Sequence, residues 1–419
     1  MTTATLPILP INVSQKISIS ISVSISLFMY LCFMATYFSS DFTLGILGGG
    51  QLGKMMLYET RKLDIKTHIL DPSSEAPCRI SCDYFEQGDL MDFDTVYNFG
   101  KKVDVLTFEI EGVNIEALEK LETEGKKVYP SSKTLRNIQD KGIQKKFYRK
   151  HHIPTSPFLV FKDKNELNEA IVRKELSFPF VWKSCTGGYD GKGVAIIRSE
   201  EDVIPLSSDS CIAEKLIPFK NELAVIVARN PSGEVKTYPV VEMEFHPEAN
   251  QVEYVLCPAR IGDTVAEKAR TIATKVSEAF EHVGLLAVEL FQTEDDEIMV
   301  NEVAPRPHNS GHYSIEASYT NQFEQHIRAI LDLPLGTTES KVAGIMVNLV
   351  GAEGHTGQVV YKNIEKIMAM EGVTPHIYGK KQTRPFRKMG HVTIVNKDIA
   401  EARKIAESVK KTIEVITEE

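Results

Sequence analysis

The chain has 419 residues, 42% hydrophobic and 25% charged, and a net charge of −9. That composition excludes a disordered or fibrous chain and leaves room for about three structural units at roughly 150 residues each. The acidic balance excludes a nucleic-acid binder that works by phosphate neutralisation, but a local basic pocket can still hold an anionic small substrate.

Residues 1–40 stand apart. No charge occurs between Lys16 and Asp41, which is length enough for a membrane span. Ile17 to Ser26 alternates apolar and hydroxyl residues, a period-two pattern poor for a lipid-facing helix. Leu27 to Phe38 is short and apolar, like a signal-peptide core, without an obvious small-residue cleavage site. Residues 1–33 are read as sequence upstream of a start at Met34, with a membrane anchor and a targeting segment as the alternatives. The cysteines (Cys32, Cys78, Cys82, Cys185, Cys211, Cys257) form no CxxC pair. That argues against a disulfide framework or structural zinc and fits a reducing cytoplasm.

From Thr43 an apolar run ends in glycines, a helix follows from Gln51 to about Lys62, and strands are expected at Lys66–Leu70 and Val103–Phe108. This alternation predicts a parallel α/β domain over 41–130. Gly48-Gly49-Gly50-Gln51-Leu52-Gly53 matches G-x-G-x-x-G after a strand, with Asp71 closing the next strand. The physics implies an anion site at a helix N-terminus. An NAD-dependent dehydrogenase, another phosphate ligand and pure tight packing all remain open on this loop. A charged helix from Ser132 to about His152 leads to a boundary at Pro154 and Pro157.

Residues 158–215 read as short strands around a second glycine loop. Phe178 to Lys183 is a strand presenting Lys183 at its end, followed by Thr186-Gly187-Gly188-Tyr189-Asp190-Gly191-Lys192-Gly193. Such a loop can fold its amides over polyphosphate, although the Walker A spacing is absent. Apolar strands follow to about 333, with a helix near 262–283. Leu285–Phe291 and Ile298–Val303 form a hairpin; centring its turn between Asp295 and Asp296 makes Glu289 and Glu302 cross-strand partners about 5 Å apart. Facing carboxylates suit Mg²⁺ shared with ligand phosphates. Strict alternation puts Asn301 on the other face, so adding it to the metal set needs a twist or bulge. Next comes the donor-rich Ala304-Pro305-Arg306-Pro307-His308-Asn309-Ser310-Gly311-His312, where Arg306 can grip a small oxyanion. Residues 341–419 read as strand, helix, strand, helix in a small terminal unit. Lys380, Lys381, Arg384, Arg387 and Lys388 crowd one loop there, as if for a terminal phosphate. The other histidines read as ordinary polar surface.

Taken together, GGGQLG, GGYDGKG, the glutamate pair, NEVAPRPHNSGH and RPFRKMGH resemble the ATP-grasp superfamily, within it the ligases that carboxylate aminoimidazole ribonucleotide in purine biosynthesis; the alternative is another ATP-grasp carboxylase or formate-using ligase, against which RPFRKMGH argues. The resemblance covers 43 to about 417 and implies a mixed α/β ATP-grasp fold. Its parts would be a Rossmann-like pre-ATP-grasp domain at 41–130, a central two-sheet ATP domain at 131–333 with its lid at 158–215, and a small C-terminal domain at 334–419. It implies ATP and Mg²⁺, with bicarbonate and aminoimidazole ribonucleotide as substrates, a homodimer, and neither nucleic acid nor membrane as partner. Lys141 and Lys183 would contact phosphates, with Lys141 standing where arginine is frequent. Gly188, Tyr189, Asp190, Gly191, Lys192, Gly193 and Val194 would cover them. Glu214, Lys215, Leu216 and Ile217 would form the adenine hinge, Glu222 would take the ribose, and His246 would be a further nucleotide contact. Glu289 and Glu302 would bind the metal beside Asn301. Gly50, Gln51, Leu52, Tyr189, Asp190, Lys192, His308, Lys380 and Arg387 would hold the ribotide; Arg306, Asp190 and Lys192 are the catalytic candidates.

Overall fold

The computed structural model describes residues 37–38, 41–187, 193–247 and 251–418. Contacts divide the chain at Phe42/Thr43. In the first unit Tyr37 and Phe42 meet edge to face at 5.2 Å. The expectations for residues 1–33, and those for Gly188, Tyr189, Asp190, Gly191 and Lys192, lie outside the described residues. Among the described residues no helix is long and apolar enough to cross a membrane.

From Thr43, strands β1 (Thr43–Leu47), β2 (Lys66–Asp71), β3 (Tyr84–Gln87), β4 (Val105–Phe108) and β5 (Lys127–Val128) make a five-stranded sheet in the order β3-β2-β1-β4-β5. All its pairs are parallel. Apolar runs such as Leu44–Leu47 and Val105–Phe108 are buried, as strands covered on both faces must be. Helices α1 (Gln51–Lys62), α2 (Phe93–Gly100) and α3 (Ile115–Thr123) accompany it. Val96, Phe99, Leu118 and Leu121 pack on Leu47, Leu106 and Phe108.

The single helix expected over 132–152 is two, α4 (Ser132–Gln139) and α5 (Lys141–Lys150). Asp140 between them is extended (φ −115°, ψ 115°), and its carboxylate accepts from the Ile143 amide at 2.8 Å. A short polar side chain gains more by capping a new helix than by continuing the old one. The break makes Lys141 the first residue of α5 and lets its amide donate to the Cys185 carbonyl at 2.8 Å.

Next, β6 (Phe158–Phe161), helix α6 (Lys164–Val172), β7 (Phe180–Ser184), β8 (Val194–Ile197) and β9 (Cys211–Lys215) give a four-stranded antiparallel sheet in the order β6-β9-β7-β8. Its own core includes Phe161, Leu167, Phe180, Trp182 and Ile197.

The largest sheet has nine strands: β10 (Phe219–Arg229), β11 (Val235–Thr237), β12 (Val241–Phe245), β13 (Val252–Cys257), β14 (Gly284–Thr293), β15 (Ile298–Ala304), β16 (Ala343–Val350), β18 (Val373–Ile377) and β20 (Lys388–Asn396). Its order is β15-β14-β10-β12-β13-β16-β20-β18, with β11 on β10. A further small sheet joins β17 (Gly357–Lys362), β19 (Gln382–Thr383) and β21 (Glu414–Thr417). Helix α7 (Asp263–Phe280) lays Val265, Ala269, Ala273, Val276 and Phe280 against Leu223, Val225, Leu286, Val288 and Val300. That is the i, i+4 apolar stripe of a helix covering a sheet. Helices α8 (Gln322–Ile330) and α9 (Ile399–Thr412) follow, besides short helical segments at Ser314–Ala317 and Ile364–Met368. The terminal region carries more strands than expected: β16, β18 and β20 continue the central sheet across residue 334, with Val255 of β13 opposite Met346 of β16, while β17, β19 and β21 form their own small sheet.

Asp140→Ala removes the α5 cap and should cost about 1 kcal/mol of stability. Urea unfolding should show a lower midpoint with an unchanged slope.

Candidate active site

The β14–β15 hairpin holds the first group. Ala287 faces Ala304 and Val288 faces Val303, as the centred turn predicts, but Leu290 faces Val300. The register therefore slips by one between them, leaving Glu289 alone on β14 against both Asn301 and Glu302 on β15. This is a β-bulge. Val300 and Val303 both lie in the α7 core, so the two residues between them turn to the opposite face. Strict pairing of Glu289 with Glu302 is thus corrected, and Asn301 joins the carboxylates.

Helix α5 brings Lys141, Lys145 and Tyr148 to the same place at i, i+4 and i+7. Lys141 Nζ bonds Glu302 Oε2. Lys145 is 1% exposed and forms an ion pair with Glu214 Oε1 at 3.1 Å. Lys183, on β7, donates to Asn301 Oδ1 at 2.8 Å and lies 3.4 Å from Glu214 Oε2. His308 Nε2 lies 3.4 Å from Glu289 Oε1, and its Nδ1 is 2.9 Å from Ser310 Oγ.

These contacts set the ionisation. Burial pushes the Glu289 carboxyl up, and the Glu302 charge adds to it. Lys141 holds Glu302 below the usual carboxylate range, against its own burial. Burial raises Glu222 to about 7. Burial lowers Lys145 to about 8, although Glu214 opposes this. Glu214 is held low by Lys183 and Lys145 despite its burial.

The remaining expected residues are placed as follows. Glu214 and Lys215 end β9, and Leu216 and Ile217 follow it. Glu222 faces Met243 and Phe291 across β10. Gly193 has φ +75° and Val194 opens β8 opposite Lys183. Arg306 Nε pairs with Glu111 at 2.9 Å. His246 lies just past β12 with its ring 5.9 Å from that of Phe386. Both line a cavity of about 190 Å³ with Val252, Asn348 and Leu349, whose lining includes none of the lysine–carboxylate cluster. Lys380 Nζ donates to the Lys388 carbonyl at 2.8 Å, and Arg387 Nη1 to Gln382 O at 2.7 Å.

The first glycine loop differs from a dinucleotide site. Gly49 N donates to Asp71 Oδ2 at 2.7 Å, Gly50 N to Glu109 Oε1 at 2.6 Å and Gly53 N to Glu109 Oε2 at 2.8 Å. The chain's own buried carboxylate thus takes the amides that a pyrophosphate would need. This overturns the dehydrogenase alternative. Gly50 caps α1, with Gln51 and buried Leu52 opening the helix. Lys54 Nζ reaches Ile377 O at 2.9 Å and Lys381 pairs with Glu75 at 2.6 Å, which sets the basic terminal loop beside this one.

Glu109, Lys145 and Lys54 were not singled out by the sequence. The usable signal was V-N-E-V, whose apolar residues stand three apart instead of two. The histidines are corrected too: His282, His326 and His391 are fully buried.

Glu289, Glu302 and Asn301 give an oxygen-only donor set, the chemistry Mg²⁺ prefers. Among the described residues no three His, Cys, Asp or Glu side chains form a complete metal site, so phosphate oxygens or water would have to finish the shell.

Three family profiles match: the Ribonucleotide synthetase preATP-grasp domain at 42–139, the ATP-grasp domain at 146–323, and the Phosphoribosylaminoimidazole carboxylase C-terminal domain at 344–405. The N5-carboxyaminoimidazole ribonucleotide synthase of Bacillus subtilis is 38% identical over 356 residues, covering 84% of this chain and 91% of that one. The phosphoribosylaminoimidazole carboxylase of Saccharomyces cerevisiae is 39% identical, and the match spans 86% of this chain but only 64% of that longer protein. The crystal structure of an Aspergillus clavatus N5-carboxyaminoimidazole synthase with ADP and 5-aminoimidazole ribonucleotide superposes with a TM-score of 0.81 at 34% identity, covering 89% of this chain and 98% of that one.

Glu109→Ala strands the Gly50 and Gly53 amides and should lower stability by about 1–3 kcal/mol. Calorimetry of the wild-type protein with NADH should show no upward shift in Tm; a shift would restore the dinucleotide reading.

Proposed function

The chain belongs to the N5-carboxyaminoimidazole ribonucleotide synthases, and we propose on that premise that this site carboxylates 5-aminoimidazole ribonucleotide with bicarbonate, at the expense of ATP. The products are N5-carboxyaminoimidazole ribonucleotide, ADP and phosphate. The observation that carries the reading is the bulge, which sets Glu289, Asn301 and Glu302 beside Lys141 and Lys183.

A bicarbonate oxygen attacks the γ-phosphorus, ADP leaves, and the carboxyphosphate formed passes its carboxyl carbon to the exocyclic amine while phosphate departs. Such a transfer is accelerated by positioning and by fixed charge around the phosphoryl oxygens. Lys183 and Lys141 supply that charge. Lys141 is held by Glu302; with Glu302 engaged by a cation, Lys141 would be available to phosphate. Glu289, Glu302 and Asn301 would hold Mg²⁺, which would neutralise charge on the transferring group. Arg306 and His308 are suited to bicarbonate, Glu222 to the ribose, and the 214–217 backbone to adenine. His246, just past the end of β12, is kept as a nucleotide contact. Gly188 to Lys192, with Gly193 and Val194, would close over the phosphates and keep water from the carboxyphosphate. Lys380 and Arg387 would grip the ribotide phosphate, with Gly50, Gln51 and Leu52 on the facing loop. A homodimer working in the cytoplasm belongs to the same proposal.

ADP release coupled to NADH oxidation should require bicarbonate and rise with aminoimidazole ribonucleotide; absence of nucleotide consumption with both present rejects the reading. Glu302→Gln should lower kcat at least 100-fold at ordinary Mg²⁺. Lys380→Ala with Arg387→Ala should raise KM for the ribotide at least tenfold and leave KM for ATP within about twofold. Glu289 holds a proton more tightly than a free glutamate and must lose it to bind a cation, so apparent Mg²⁺ affinity should rise with pH. Glu289→Gln should flatten that dependence, read by Mg²⁺ titration of turnover at several pH values.

A further inference from the structure

A closed polar circuit ties the lid sheet to the central sheet. Lys145 on α5 pairs with Glu214 on β9, Glu214 with Lys183 on β7, and Lys183 with Asn301 on β15. The circuit returns through the backbone to Val300, whose carbonyl accepts from Thr155 Oγ1 at 2.7 Å, and Thr155 Oγ1 accepts from Lys145 Nζ at 2.6 Å. Lys145, Glu214 and Lys183 are 1%, 2% and 7% exposed. Lys145 is thus too deep to touch a substrate, yet a buried amine is costly unless it does something for its partners.

Its partner explains it. Glu214 offers one oxygen to each lysine. With Lys145 present, Lys183 has to satisfy only half of that carboxylate, and its remaining donors point to Asn301. Without Lys145, the whole carboxylate charge falls on Lys183 and draws its amine off Asn301. Thr155 fixes Lys145 from the other side, so the amine cannot follow Glu214 if the lid sheet shifts. We propose that Lys145 is a positioning residue that acts through Glu214 to aim Lys183 at the nucleotide phosphates, and so links the lid sheet to the metal-side strand.

The inference rests on the nucleotide reading above, and the test separates the two. Steady-state kinetics would compare wild type, Lys145→Met, Glu214→Gln and the double variant, with melting temperatures alongside. Lys145→Met should raise KM for ATP about tenfold and leave KM for the ribotide within twofold. The double variant should be no worse than the poorer single one, because Lys145 acts only through Glu214. Thr155→Val, a smaller perturbation, should raise KM for ATP about threefold and serves if Lys145→Met does not fold. A folded Lys145→Met with wild-type KM for ATP, multiplicative losses in the double variant, or equal losses for both substrates would overturn the proposal. Wild-type protein that consumes no ATP would instead remove the reading beneath it.

Discussion

One extra residue in a single strand assembles this site. Between Val300 and Val303, both packed under α7, the chain fits two residues where the facing strand has only Glu289. Both therefore turn the same way, so that Asn301 meets Lys183 while Glu302 meets Lys141. With regular alternation one of the pair would point into the apolar core under α7, and burying an amide or a carboxylate there without partners would be unfavourable. Bulges of this kind recur next to active sites because they re-aim side chains at little cost to the surrounding ladder.

The electrostatics follow. Lys141, Lys145 and Lys183 stand against Glu214, Glu289 and Glu302, and each charge has a named partner or a raised pKa that removes it. Buried charge is tolerated only under such conditions. The arrangement is balanced without ligand, and the Lys141–Glu302 pair is the contact that a polyanion and a cation would divide between them. The neighbouring glycine loop shows the opposite solution: Glu109 takes the Gly50 and Gly53 amides, so the motif keeps its turn while those donors are engaged within the chain.

Much of this was legible in the sequence, for physical reasons. The parallel sheet followed from apolar runs alternating with amphipathic helices, and the hairpin from two apolar strands around a polar turn. The bulge was not legible by a period-two reading, because a one-residue slip leaves composition unchanged; only the V-N-E-V spacing betrays it. Lys145 escaped because a lysine four residues from another on a helix ordinarily marks a solvated face. Asp140 escaped because its capping role requires a chain break that the surrounding helix formers conceal. That three terminal strands continue the central sheet was not legible, because it depends on pairing between β13 and β16, which are far apart in sequence.

The central claim is that the bulge-built cluster splits a triphosphate to activate bicarbonate. Turnover in ¹⁸O-labelled bicarbonate with ATP and aminoimidazole ribonucleotide, followed by mass analysis of the released phosphate, tests it most directly. The account predicts one labelled oxygen delivered to each phosphate formed. Phosphate that carries oxygen from water alone would contradict it.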